Sequence, residues 1–429
     1  MATSTQDLVR PGESTDIYYY DAQTSKKEAF PTTQNTKYTQ NFQNNSGGTS
    51  VFTIPPQNGI QDVICSFQFT LTDVGGGAAA LPQGWGYALV KQVSFRYGGS
   101  SQYFMTGQQL LQNAVRKQIA RDAATDITTI GGLAVAPANV VGTQTANVVL
   151  TLPHAAPSAF GKAHPFPTDL LTQQCQITIE LVNPVSSVWT LASGALPTGA
   201  TSLSLAQFQV QQVMLNNQGD ALARRVDMAT NAYAFPAEFV QQMIQVPLTI
   251  GTASTQSVVL TGFRSGEVKS IQVWLTRAGD TNSALGQGGN GSITTQSPFK
   301  WYLPDSVKMT YAGDVYALYQ SGSSQLFNLV NGLKASAFNT SAVNTSGGSI
   351  SAPGAWLSQW VELPFAQAYV QDDAHNMLVH GKPITNGIVN LDVNLPAAYV
   401  NGTADWLLNV SYVYNTTLLF SQGTCDYIF

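Results

Sequence analysis

Apolar and polar residues alternate in short runs along most of this chain. Between residues 63 and 71 the odd positions are apolar (Val63, Cys65, Phe67, Phe69, Leu71) and most even ones polar. A period of two is the mark of a half-buried strand. The same pattern predicts strands around Val93, Phe95 and Tyr97, and around Ile177, Ile179 and Leu181. It returns at residues 271–275, 307–311, 391–395 and 406–414. Turn-forming stretches punctuate these runs, including Gly75-Gly76-Gly77, residues 286–291 and residues 344–348. Helical spacing is confined to three segments. In residues 107–123, Leu110, Leu111, Ala114, Ile119 and Ala120 fall near one face; residues 324–333 and 236–243 are the others. The pattern predicts an all-β chain with short helices inserted in loops.

The runs also repeat. Ser66-Phe67-Gln68-Phe69-Thr70-Leu71-Thr72 matches Ser270-Ile271-Gln272-Val273-Trp274-Leu275-Thr276. Val93-Ser94-Phe95-Arg96-Tyr97-Gly98-Gly99 matches Val307-Lys308-Met309-Thr310-Tyr311-Ala312-Gly313. Leu150-Thr151-Leu152-Pro153 matches Val361-Glu362-Leu363-Pro364, and residues 177–181 match residues 391–395. Single matches between alternating strands carry little weight. Four in the same order at nearly one spacing indicate a duplicated β-domain. The expected organisation is an N-terminal arm over 1–45, a first unit over 46–215, a linker over 216–246 and a second unit over 247–429. About eight strands per unit suits an eight-stranded jelly roll closing its own core.

Composition narrows the functional classes. Of 429 residues, 19 are Lys or Arg and 24 are Asp or Glu, so only 10% are charged. Ordinary soluble domains carry about 25%. Gln, Asn, Ser and Thr fill the polar positions instead. A net charge of −5 argues against a nucleic-acid-binding face over the whole molecule. Hydrophobic residues at 44% supply a sizeable core. No run approaches the ~18 apolar residues of a membrane-spanning helix, and the first residues lack the basic and apolar regions of a signal peptide. A sparsely charged surface suits a protein that works packed against its neighbours. Cys65 and Cys175 lie in strand-like runs and are expected as buried thiols.

On these residues the chain resembles the double jelly-roll major capsid proteins of the tectivirus–adenovirus lineage of icosahedral DNA viruses. The strand-then-turn elements at 93–99 and 307–313, each ahead of a loop helix, carry the resemblance. So do Leu363-Pro364-Phe365 and the later Gly381-Lys382-Pro383-Ile384-Thr385-Asn386-Gly387 turn. The resemblance implies two tandem jelly rolls, a homotrimer with a pseudo-hexagonal outline, and a structural role in the virion shell assembled inside the host cell. Its implied partners are the chain itself, neighbouring trimers, and penton and minor capsid proteins; an internal membrane beneath the shell is left open. No sequence-specific nucleic acid is implied.

Candidate chemistry is thin. His154, His164, His375 and His380 lack metal-ligand spacing. Asp372-Asp373 with His375 and Asn376 has neither the spacing nor the glycine of a calcium loop, and reads as a solvated turn. Residues 286–291 are Gly-rich but lack the Lys-Ser/Thr of a phosphate-binding loop. Arg116, Lys117 and Arg121, and Arg224-Arg225, read as solvated faces or subunit contacts. Sequons at Asn339 and Asn344 carry little weight without a secretory signal. Tyr18-Tyr19-Tyr20 and Lys26-Lys27 mark the arm as a segment that orders on contact with a neighbour. No catalytic, cofactor-binding or metal site is expected, and no enzyme. The reading is a structural capsid protein; the alternative is a tandem β-sandwich adhesin, spike or carbohydrate-binding protein.

Overall fold

The structure, a computed structural model, describes residues 32–41, 48–54, 59–71, 79–80, 85–97, 101–110, 142–150, 168–182, 190–191, 202–214, 232–241, 244–248, 255–277, 304–320, 360–365, 381–384, 388–395 and 406–428. In the first half these form β1 (Thr32–Asn41), β2 (Thr49–Ile54), β3 (Gly59–Leu71), β4 (Ala79–Ala80), helix α1 (Trp85–Leu89), β5 (Val90–Tyr97), β6 (Ser101–Thr106), β7 (Gly142–Leu150), β8 (Cys175–Leu181), β9 (Thr190–Leu191) and β10 (Ser202–Met214). The second half forms β11 (Tyr233–Val240), β12 (Ile244–Leu248), β13 (Thr255–Leu260), β14 (Glu267–Arg277), β15 (Ser306–Tyr311), β16 (Asp314–Gln320), β17 (Val361–Pro364), β18 (Lys382–Pro383), β19 (Val389–Asn394), β20 (Trp406–Ser421) and β21 (Thr424–Ile428).

Each half builds two antiparallel sheets in the same strand order. The first has β1-β10-β3-β7 and β2-β8-β5-β6; the second has β11-β20-β14-β17 and β13-β19-β15-β16. In the second roll β12 and β21 also pair with β20, and β18 with β14. The expectation of two tandem jelly rolls therefore holds, and the equivalence extends to register. Val93 lies opposite Ile179 and Phe95 opposite Ile177, while Val307 lies opposite Val393 and Met309 opposite Leu391. All eight side chains are buried, each contributing about 1.5–3 kcal/mol of apolar transfer. The match of Leu150 with Val361 falls on equivalent strands but not in register. Val361 lies opposite Val273, whereas Leu150 lies opposite Val63 rather than Phe69, the residue matched to Val273.

Two hairpins turn on left-handed residue pairs: Ala312 and Gly313 (φ 52° and 93°) and Gln422 and Gly423 (φ 50° and 80°). Two-residue turns of this hand match the twist of the strands they join. The first, between β15 and β16, is one residue shorter than the connection from Tyr97 to Ser101. A bulge takes up the difference: Met309 lies opposite Ala317 and Thr310 opposite Val315, leaving Tyr316 as the extra residue.

Three expectations change. Residues 236–243 do not form a helix: Tyr233–Val240 is a strand paired to β20, with Ala237 and Phe239 buried at period two. Pro236 is tolerated because β11 lies at the sheet edge, where a missing N–H costs least. That strand and most of β12 fall inside the expected linker 216–246. Likewise β1 falls inside the expected arm 1–45, pairing with β10 from Thr32 to Asn41. Of the helix expected at 107–123, residues 107–110 are helical, with Leu110 buried; the remainder, and the helix expected at 324–333, lie outside the described residues.

Candidate functional site at the seam between the rolls

Tyr103, Gln109 and Thr172 of the first roll meet the second roll in one seam. Strand β6 ends its sheet, and Tyr103 on its inner face reaches beyond its own roll. The Tyr103 ring meets Phe239 edge-on with centroids 5.1 Å apart, and Tyr427 of β21 at 6.1 Å. Phe239 in turn meets Tyr427 edge-on at 5.2 Å. The Arg264 guanidinium lies 4.8 Å from the Phe239 ring centre, a cation–π contact. The Val240 N–H donates to the Tyr103 hydroxyl at 3.3 Å. Tyr103 and Phe239 are both buried, so the two cores join into one apolar cluster.

A polar layer lies beside these rings. Thr106 begins a helical turn, and Gln109 closes a reciprocal cap upon it. The Gln109 side-chain oxygen Oε1 accepts from the Thr106 N–H at 3.1 Å, and the Thr106 hydroxyl accepts from the Gln109 N–H at 3.3 Å. Held this way, the Gln109 amide nitrogen donates to the Gln241 carbonyl at 2.7 Å and to the Ser411 hydroxyl at 3.1 Å. Gln241 is a hub. Its own N–H donates to the Tyr412 carbonyl, its side-chain oxygen accepts from the Tyr414 hydroxyl, and its amide nitrogen donates to the Gly262 carbonyl. Further along β20, Asn409 donates to Thr276 at 3.0 Å and accepts from Gln245 at 2.9 Å. Asn409, Ser411 and Val413 are buried, as are Leu408, Val410 and Tyr412, which alternate with them. The middle of β20 is therefore covered on both faces, with hydrogen bonds satisfying the polar side.

The β20–β21 hairpin makes the third contact. The Gly423 carbonyl accepts from the Thr172 N–H at 3.0 Å and from its hydroxyl at 3.2 Å. A Cβ at Gly423 would lie 2.3 Å from the Thr172 methyl, so glycine is required by both close approach and its φ of 80°. Cys175 lies three residues beyond Thr172, and Cys425 two beyond Gly423. All three cysteines are buried free thiols, as expected for Cys65 and Cys175. Burial pushes the Cys175 thiol up to about 12 and those of Cys65 and Cys425 well above the usual value. They are packing residues in an apolar setting.

His154, His164, His375, His380, Asp372, Asp373, Asn376, Arg116, Lys117, Arg121, Arg224, Arg225, Asn339 and Asn344 lie outside the described residues, as do 286–291. Among the described residues no group of His, Cys, Asp or Glu could hold a metal. The seam residues went unnoticed in the sequence. One signal was available: Thr106-Gly107-Gln108-Gln109 has the spacing of a capping box, which fixes where that helix starts and turns Gln109 back upon it.

No protein-family model matches the sequence, and no curated protein does. Among solved structures the chain is similar to the PBCV-1 virus capsid. The TM-score is 0.58 at 15% identity, covering 94% of this chain and 98% of that one. It is also similar to the mavirus major capsid protein, with a TM-score of 0.52, 11% identity and coverage of 96% and 93%. The Faustovirus major capsid protein gives 0.51, 11%, 92% and 92%. Likeness over nearly the whole of both chains establishes the fold: this is a double jelly roll, both rolls included.

Proposed function

We propose that this chain is the major capsid protein of an icosahedral virus, a structural protein of the virion and not an enzyme. The observation that carries the reading is the fusion of two register-equivalent jelly rolls through a buried seam, in a chain that matches capsid proteins from end to end. Rolls fixed to one another present a single rigid building block. Three such blocks give six similar barrels around a threefold axis, the pseudo-hexagonal capsomer. Neighbouring trimers, penton proteins and minor capsid proteins are its partners in the shell, with the virion as its location. The scarcity of charge favours contacts made through neutral hydrogen bonds and apolar burial, without the desolvation cost of ion pairs.

Negative-stain imaging of the purified protein, with its mass in solution, tests the reading. Pseudo-hexagonal trimers that survive dilution are expected, since obligate interfaces bury large areas. Particles should also hold together in molar sodium chloride, where the Debye length falls to about 3 Å and exposed ion pairs are screened. A stable monomer would reject the proposal.

A further inference from the structure

The two rolls repeat one frame, and among the described residues they differ in how the matching sheet edges β6 and β16 are covered. In the first roll β6 ends the sheet, and Tyr103 is shut beneath Phe239 and Tyr427 of the second roll. In the second roll β16 holds the same place, and the register puts Ala317 where Tyr103 stands. The bulged Tyr316 brings a ring back to this edge. It lies 5.9 Å from Tyr311 and 5.7 Å from Phe365 between ring centres. The Lys382 ammonium caps the group, 4.2 Å from the Tyr316 ring centre and 5.1 Å from that of Tyr311. A cation over the rings repeats what Arg264 does over Phe239. Here, however, Tyr316 and Ala317 are only half-buried, and Val315 and Leu318 on the same strand are 57% and 40% exposed.

The register also identifies the counterpart of Phe239. Across the second roll Phe239 lies opposite Tyr414, and Tyr414 opposite Val268. Across the first roll the corresponding row is Tyr38, Phe208 and Cys65. Ser66 and Ser270, matched in the repeat, lie opposite Gln207 and Val413, one residue before Phe208 and Tyr414, which aligns the two rows, with Lys269 as a bulge. The first roll thus has, on β1, an aromatic residue at the position from which Phe239 covers Tyr103.

We infer that the β15–β16 edge of the second roll, built from Tyr311, Tyr316 and Phe365 under Lys382, receives β1 of a second copy of the chain. Tyr38 of that copy takes on Tyr316 the place that Phe239 takes on Tyr103 within one chain. The contact between copies then repeats the contact between rolls. It is head-to-tail, and such contacts either close into rings or grow as filaments; six quasi-equivalent barrels from three copies close. The inference rests on the self-assembling reading above and adds the face and the residues.

Two variants of the full chain test it. Tyr38→Cys combined with Tyr316→Cys should give disulfide-linked oligomers on mild oxidation with diamide, resolved on a non-reducing gel. Either substitution alone should give none, and the three native thiols are buried. Separately, Tyr316→Ala should weaken association by at least about tenfold, as loss of a buried aromatic anchor does, with the subunit still folded by circular dichroism at the temperature of the measurement. If the protein forms trimers, the double variant stays uncross-linked and Tyr316→Ala trimers dissociate as the wild type does, the inference is overturned while the capsid reading stands. If no oligomer forms under any condition, both fall.

Discussion

In the first roll, the outward-facing row that crosses the β2-β8-β5-β6 sheet reads Val51, Thr178, Ser94, Phe104. In the second roll the same row reads Ser257, Asp392, Lys308, Leu318. The inward rows beside them keep their apolar character and their register. One outward row is neutral from end to end. The other holds an ion pair, with Lys308 3.7 Å from Asp392, and a hydrogen bond from Ser257 to Asp392 at 2.5 Å. Leu318 and Phe104 remain apolar at one end of both rows. Inward positions are held by packing against a shared frame, where a change of one methylene is felt. Outward positions lack that constraint, and the two rolls differ there. The duplicated frame has become two non-interchangeable parts.

The sharpest way to break this comparison uses the two left-handed turns. Gly423 is docked on Thr172, whereas a Cβ at Gly313 would meet nothing within 4 Å. Gly423→Ala should cost about 3 kcal/mol in urea unfolding, from the left-handed backbone and the clash together; Gly313→Ala should cost only about 1 kcal/mol. Equal costs would mean that the β20–β21 turn does not bear on the first roll. Next come the paired core positions. Val93→Ala and Val307→Ala should each lose about 2 kcal/mol, and a difference above about 1 kcal/mol would break the register equivalence of β5 and β15.

Gln109→Ala should cost about 1–2 kcal/mol, because the Gln241 carbonyl and the Ser411 hydroxyl lose their donor in a buried seam. A double-mutant cycle with Ser411→Ala should show coupling across the rolls; strict additivity would place the two residues in independent environments. The smallest effect belongs to the outward row. Lys308→Ala should change stability by less than about 0.5 kcal/mol, since its partner is partly solvated and screened. A larger loss in the isolated subunit would show that the ion pair supports the fold.

The core strands were legible because their side chains carry the period. Val93, Phe95, Ile177 and Ile179 alternate with polar neighbours, and the second roll repeats them. Strand β1 was not. Its sequence, Thr-Thr-Gln-Asn-Thr-Lys-Tyr-Thr-Gln-Asn, carries a single aromatic residue and no apolar face. What fixes it is the backbone ladder to β10, a long-range pairing that leaves no mark on side-chain order. Strand β11 was hidden by Pro236, which breaks a strand pattern unless the strand is known to lie at an edge. The seam was illegible for a third reason. Tyr103 and Phe239 alternate as ordinary core residues, and only the meeting of two rolls distinguishes them from the rest.

Thr172 and Gly423 stand 251 residues apart in sequence. During synthesis at about 5–20 residues per second, that interval lasts roughly 13–50 s. For the later part of it the first roll is complete while Thr172 lacks its partner, and Tyr427 joins Phe239 over Tyr103 only when β21 is made. A chain broken off before β21 would leave Tyr103 without Tyr427 and Thr172 without Gly423. The β20–β21 hairpin thus makes completion of the first roll's edge wait on strands of the second.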